Sequence, residues 1–108
     1  MSDPAAHDDA TLTLVTMVWD QVSDALRAHL VRYVVLSRSE PDCRNIDLCA
    51  SITTPDRVVI IEKWASPASQ QAHLEGPVLL ALATAASQLD AGRPAIDLLE
   101  GISAHDLL

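Results

Sequence analysis

The stretch RVVIIEKWASPASQQAHLEG, residues 57–76, contains the strand and the helix start that decide the fold. Apolar residues run without alternation over Val58–Ile61, which predicts a strand, ending near Trp64, that is buried on both faces. Ser66 is a good helix N-cap, and Pro67 at the first helical position gives up only an N–H that has no partner. The stretch therefore predicts a strand, a tight turn and a short helix.

Other elements are predicted on both sides of this stretch. An apolar stripe at helical spacing predicts a helix over Gln21–Arg38, which Asp20 caps, and an Ala-rich segment predicts another over Pro77–Leu89. The second strand should place Ile46, Leu48, Ala50 and Ile52 on one apolar face. A short turn after it predicts a hairpin with the strand at Val58–Trp64. Strands besides that one are predicted at Thr11–Trp19, Cys43–Ile52 and Ala95–Leu99.

Length and composition are those of one small globular domain. The chain has 108 residues, of which 49% are hydrophobic and 20% charged. We expect a disordered leader over residues 1–10, the folded domain over 11–100 and a C-terminal tail over 101–108. The leader is acidic and lacks the basic start and apolar centre of a signal peptide, so a cytoplasmic location is the default.

The charge and the cysteines exclude several classes of function. A formal net charge of −8 with only 7 Lys and Arg argues against nucleic acid or an anionic membrane as a partner. No apolar run approaches the roughly 18 residues that cross a bilayer. Cys43 and Cys49 are expected on one face of a strand, too far apart to bond, and no Cys or His spacing indicates a metal.

The order strand, helix, strand, strand, helix pair, strand predicts an α+β, ferredoxin-like βαββαβ fold. One antiparallel four-stranded sheet would carry its helices on one face. The strands at Thr11–Trp19 and Val58–Trp64 are apolar on both faces, so the other sheet face needs cover. Two copies that pack these sheets together would supply that cover, which predicts a homodimer.

With these elements, the chain resembles the antibiotic biosynthesis monooxygenase domain, the dimeric α/β-barrel group that includes small quinol monooxygenases. The resemblance covers roughly Thr11–Glu100. It depends on the order and spacing of three short motifs. These are Glu40-Pro41-Asp42-Cys43 before the second strand, Ile61-Glu62-Lys63-Trp64 at the end of the third, and Ala72-His73-Leu74 on the short helix.

The resemblance implies oxygenation of a quinol, anthrone or similar polycyclic phenol by O₂, without metal, flavin or haem. Such a substrate reduces O₂ itself once it is deprotonated, so the protein supplies a dry pocket and a proton acceptor. Glu62 and Trp64 share a strand face, and His73 exchanges protons readily at neutral pH. We expect His73 and Glu62 to be catalytic, and Trp64, Asn45 and Leu82 to bind substrate.

Other interpretations of the same residues stay open. Glu62 is also typical of a residue that hydrogen-bonds or pairs with an arginine to hold the sheet or the dimer, and Trp64 of a core residue. His73 is also typical of a satisfied surface or core histidine, and Asn45 of a solvated or interface face. The chain would then be a non-catalytic dimeric protein that binds a small ligand or acts as an accessory subunit. Haem degradation is a rival, because relatives of this fold bind haem through a histidine on the last helix. That position falls at Leu82, so we do not expect haem.

Overall fold

The computed structural model describes residues 12–102 and contains the expected order of elements. The predicted leader, residues 1–10, lies outside the described residues, as do residues 103–108 of the predicted tail. The four strands and three helices are β1 (Thr13–Trp19), α1 (Asp24–Arg38), β2 (Cys43–Ala50), β3 (Val58–Trp64), α2 (Pro67–Leu74), α3 (Pro77–Gln88) and β4 (Ala95–Glu100).

The strands form one antiparallel sheet in the order β2-β3-β1-β4. Val15 at the centre of β1 is opposite Glu62 on β3 and opposite Leu98 on β4. β2 and β3 pair as the predicted hairpin. The first and last strands, β1 and β4, also pair, although they lie at opposite ends of the domain in sequence. This order confirms the ferredoxin-like α+β fold.

The start of α1 differs from the prediction. Ser23, and not Asp20, is the N-cap, because its hydroxyl accepts the backbone N–H of Leu26 at 3.1 Å. Gln21 adopts a left-handed backbone conformation, with φ of 53°, so the chain turns before the helix begins. Asp20 instead forms an ion pair with Arg57, with 2.6 Å between Oδ1 and Nε.

β2 ends two residues earlier than predicted, at Ala50. The hydroxyl of Ser51 accepts the backbone N–H groups of Thr53 and Thr54 at 3.2 and 3.0 Å. This local turn competes with the strand and bends the chain towards β3. Ile52 is 99% exposed, so its predicted place on the apolar face is wrong.

The start of α2 confirms the prediction made from residues 66 and 67. Ser66 caps the helix and exchanges hydrogen bonds with Ser69 in a capping box, and Pro67 occupies the first turn. Gly76 separates α2 from α3. A Cβ at Gly76 would lie 3.2 Å from the carbonyl oxygen of Ala72, so a side chain there would crowd the end of α2.

The core lies between one face of the sheet, called here the helix face, and the three helices. Met17 and Ile60 from the sheet pack with Leu30 from α1 and Leu82 from α3. The opposite face, the open face, has no helix over it. Its apolar side chains are Leu14, Val18, Val59, Ile61 and Leu99, of which Ile61 and Leu99 are 36% and 42% exposed.

None of the helices over residues 12–102 is long and apolar enough to span a membrane.

Candidate functional site

Three of the predicted site residues meet on the helix face. The strand period of two places Glu62 and Trp64 on the same side of β3, and Trp64 Nε1 donates to Glu62 Oε1 at 2.8 Å. His73 reaches them from α2, with its ring centroid 4.4 Å from that of Trp64. Each of the three side chains is at most 3% exposed. The indole N–H of Trp64 is therefore committed to Glu62.

Tyr33 on α1 connects the glutamate with the histidine. Its hydroxyl donates to Glu62 Oε2 at 2.6 Å and lies 2.7 Å from His73 Nε2. Burial, followed by the negative charge of Glu62, raises the pKa of Tyr33 far above its ordinary value of 10.0. The phenol therefore keeps its proton, and its hydroxyl can donate one hydrogen bond and accept another.

Glu40, two residues after the end of α1, extends this series of hydrogen bonds towards solvent. Its Oε2 lies 2.8 Å from His73 Nδ1, and its side chain is 31% exposed. We call the linked side chains Glu40, His73, Tyr33, Glu62 and Trp64 the buried relay. The buried relay connects α1 and the turn that follows it with the short helix α2 and the central strand β3.

The donors and acceptors of the buried relay can be satisfied in two ways. When Glu62 is ionised, Tyr33 donates to it and accepts from Nε2–H of His73, whose Nδ1–H donates to Glu40. When Glu62 is protonated, it donates to Tyr33, which then donates to Nε2 of a neutral His73. The two arrangements differ by a proton shift through the Tyr33 hydroxyl, so the geometry suits proton transfer between Glu62 and His73.

Two cavities flank Leu82 on α3. The interhelix groove, of about 630 Å³, lies between α1 and α3 and is lined by His29, Arg32, Tyr33 and Leu82, among others. The sheet cavity, of about 620 Å³, lies between α3 and the sheet at β1 and β4. Both volumes are in the range of small-molecule sites. Tyr33 lines the groove and also belongs to the buried relay.

The structure does not bring Asn45 to the other predicted site residues. β2 has an irregularity between Cys43 and Asn45: Cys43 is opposite Trp64, and Asn45 is opposite Lys63. Asn45 therefore lies on the open face, where its amide donates to the Asp47 carboxylate at 3.0 Å. The same irregularity corrects the prediction for the cysteines, because Cys43 packs against the core and Cys49 lies on the open face.

The two thiols are free, and burial raises the pKa of Cys43. Within residues 12–102, no three His, Cys, Asp or Glu side chains are placed to hold a metal ion.

Sequence reasoning missed two members of the relay. In the sequence, Tyr33 is one position of the apolar stripe that predicts α1, and Glu40 is the first residue of the motif before the second strand. The available signal was the hydroxyl of the single tyrosine in the chain, because a tyrosine on a core-facing stripe needs a hydrogen-bond partner. Which partner it finds depends on the packing of α1 over β3.

Comparison with solved structures shows the same fold in other organisms. SnoaB, a cofactor-independent oxygenase from Streptomyces nogalater, has a TM-score of 0.69 at 17% identity, over 92% of this chain and 97% of its own. A protein of unknown function from Nitrosomonas europaea has a TM-score of 0.77 at 21% identity, over 93% and 98%. A conserved protein from Methanosarcina mazei has a TM-score of 0.74 at 12% identity, over 87% and 96%.

The family model for antibiotic biosynthesis monooxygenases matches residues 8–85. The chain therefore belongs to the antibiotic biosynthesis monooxygenase family, with a fold of the monooxygenase type. No curated protein matches the chain.

Proposed function

We propose that this protein is a cofactor-independent monooxygenase that oxidises a quinol, an anthrone or a similar polycyclic phenol with O₂. The supporting observation is that Tyr33 belongs both to the buried relay and to the wall of the interhelix groove. A substrate in the interhelix groove would contact apolar side chains, including Leu82. It would also contact Tyr33, whose hydroxyl can take up the substrate's proton and pass its own proton to another relay residue.

The substrate supplies the electrons in this reaction. As its acidic proton leaves, Tyr33 passes its own proton to His73 or Glu62 and takes up the substrate's proton. The resulting anion transfers an electron to O₂, the two radicals combine into a peroxide anion, and the proton held by the relay returns to give a hydroperoxide. Loss of water then gives a quinone: the CH₂ group of an anthrone and O₂ become a carbonyl and H₂O.

Each relay residue has a defined part in this proposal. His73 and Glu62 accept the proton, and Glu40 connects His73 with solvent. Trp64 positions Glu62 through its indole N–H, in place of the contact with substrate that the sequence suggested. Leu82 forms part of the groove wall, whereas Asn45 takes no part, because it lies on the opposite face of the sheet.

We also propose that the protein is a homodimer in which the open faces of two sheets pack together. The open face presents Ile61 and Leu99 to solvent beside Leu14 and Val59, and no helix of the described chain covers them. Burial of these side chains would be favourable by about 25 cal/mol per Å² of apolar surface.

The catalytic proposal is tested by His73→Ala in protein freed of metal and flavin. We expect O₂ uptake with a reactive quinol or anthrone to fall by about 100-fold, the usual scale for a lost proton-transfer group. Tyr33→Phe should cause a similar loss, because it separates both acceptors from the groove. If both variants oxidise substrate at the wild-type rate, the relay has no role in the reaction.

One observation favours a second candidate, a non-catalytic protein that binds a small ligand. Every polar atom of the relay that faces another member is already hydrogen-bonded, as in a purely structural cluster that holds α1 and α2 on the sheet. Saturable binding of a phenol without O₂ uptake would favour this candidate. Haem is disfavoured, because Leu82 at the expected ligand position is an apolar side chain that is 4% exposed.

A further inference from the structure

The buried relay leaves one hydrogen-bonding position of Tyr33 unused. A phenol oxygen has one proton to donate and two lone pairs that accept. In either arrangement of the relay, the hydroxyl donates once, to Glu62 or to His73, and accepts once, from the other of the two. One lone pair of the Tyr33 oxygen therefore has no partner in the relay, although the side chain is only 2% exposed.

Ser37 has a hydrogen-bond donor that the relay does not use. It follows Tyr33 by one turn of α1, so both side chains lie on the same face of the helix, and it is completely buried. Its Oγ has no hydrogen-bond partner among residues 12–102. A buried hydroxyl without a partner is unfavourable, and native structures contain few of them. The unused donor of Ser37 therefore complements the unused lone pair of Tyr33.

The two hydroxyl groups are close enough to influence each other. Burial, followed by the negative charge of Glu62, raises the pKa of Tyr33, whereas the hydroxyl of Ser37 lowers it. A donor that stabilises negative charge on the phenol oxygen has this effect. Rotation of the Ser37 side chain between its staggered positions changes the direction of Oγ. The competing acceptor is the backbone carbonyl of Tyr33, which a serine four residues later in a helix can bind.

We propose that Ser37 is a positioning residue of the buried relay, and that its hydroxyl donates a hydrogen bond to the Tyr33 oxygen during proton transfer. When Tyr33 passes its proton to His73 or Glu62, negative charge develops on the phenol oxygen before the substrate's proton arrives. A donor held in place, away from water, stabilises that charge. Ser37 lines neither cavity, so it acts through Tyr33 and not on the substrate. This role depends on the proposed oxygenase reaction, to which it adds a residue.

Ser37→Ala separates this role from substrate binding. We expect kcat for a quinol or anthrone to fall by about five- to thirtyfold, because a hydrogen bond to a charged oxygen is stronger than one to a neutral oxygen. KM should stay unchanged, since Ser37 does not line the interhelix groove. Ser37→Thr keeps the hydroxyl and should restore most of kcat. Ser39→Ala is the matched control, because the Ser39 hydroxyl is exposed and donates to the carbonyl oxygen of Leu36.

A spectroscopic measurement tests the hydrogen bond without substrate. The chain has a single tyrosine, so protein labelled with ¹³C at the tyrosine Cζ gives one signal, that of Tyr33. The position of this signal responds to hydrogen bonds at the phenol oxygen. We expect Ser37→Ala to shift it, Ser37→Thr to return it towards the wild-type position and Ser39→Ala to leave it in place. An unchanged signal in Ser37→Ala would contradict the proposal and assign the serine hydroxyl to another acceptor.

The two measurements distinguish failure of this role from failure of the proposed reaction. A wild-type protein that consumes no O₂ with any substrate refutes the oxygenase, and the Tyr33 signal still decides whether the hydrogen bond exists. An active wild type whose kcat is the same after Ser37→Ala refutes the role of Ser37 alone. A fall in kcat without a shift of the Tyr33 signal would also contradict the proposal, because the serine would then act by another route.

Discussion

The hydroxyl of Tyr33 lies 2.7 Å from Nε2 of His73, although 40 residues separate them in the chain. The contact exists because α1 and α2 both pack on the same side of β3, one before it in sequence and one after it. Glu62, on the strand between them, accepts the hydroxyl proton of Tyr33 at 2.6 Å.

Loss of the Tyr33 hydroxyl should destabilise the fold. Tyr33→Phe leaves Glu62 Oε2 and His73 Nε2 buried without partners, so we expect the free energy of unfolding to fall by about 2–4 kcal/mol. Urea denaturation measures this change. His29→Ala, at an exposed position on the same helix, is the control and should have little effect. Equal stability of Tyr33→Phe and wild type would contradict the role given to the hydroxyl.

Glu62→Gln should reverse the hydrogen bond between Tyr33 and His73. The introduced amide must accept from Trp64 and therefore directs its N–H groups towards Tyr33, which then donates to Nε2 of His73. We expect Nε2 of His73 to donate to Tyr33 in the wild type, where Tyr33 donates to Glu62, and to accept the Tyr33 hydroxyl in the variant. Long-range ¹H–¹⁵N spectra of the ring measure this. The same hydrogen-bond role of Nε2 in both proteins would show that Glu62 and His73 are not coupled through Tyr33.

The ion pair between Asp20 and Arg57 should make a pH-dependent contribution to stability. The hydrogen bond from Arg57 holds the pKa of Asp20 below its ordinary value of 3.8. A carboxyl whose pKa is depressed on folding contributes stability above pH 3.8, and that stability is lost as the pH falls through the lower, folded value.

We therefore expect Asp20→Asn to lower the urea midpoint at pH 6, by a small amount because the pair is exposed, and to have no effect in strong acid. The effect should shrink in 1 M salt. Asp42→Asn, at an exposed carboxylate with no ion pair among the described residues, serves as the control. A difference between Asp20→Asn and wild type that persists in strong acid would show that the pair is not its source.

The open face should mediate association. Ile61 lies near the middle of that face on a central strand, so Ile61→Lys would place a charge in the proposed interface and dissociate the dimer. Val35→Lys is the matched control, because Val35 is 56% exposed on α1 and away from the sheet. Sedimentation equilibrium at micromolar concentration distinguishes the two. A wild-type monomer, or a dimer that only Val35→Lys disrupts, would exclude the open face as the dimer interface.

The fold was predictable from sequence because its signals are local. Apolar runs, the Ser66 and Pro67 helix start and the short connection after β2 each depend on neighbouring residues. The errors in the predicted boundaries of β2 and α1 came from local turns next to these elements. Ser51 ended β2 before Ile52, and the left-handed turn at Gln21 made Ser23 the cap of α1 in place of Asp20.

The candidate site was only partly predictable. Strand parity placed Glu62 beside Trp64, and the short helix brought His73 over them. Strand parity with Ile46 was enough to place Asn45 on the open face, whereas the position of Cys43 depended on an irregularity in β2 that no spacing rule reveals. The unpartnered hydroxyl of Ser37 appears only when the packing of α1 against the sheet is known.

The most direct test of the oxygenase proposal is O₂ consumption by protein freed of metal and flavin, with a panel of quinols and anthrones. We expect saturable uptake above the uncatalysed rate with at least one of them, and with ¹⁸O₂ one labelled oxygen atom in the quinone product. O₂ uptake equal to the protein-free rate across the whole panel would contradict the proposal and favour a protein that only binds its ligand.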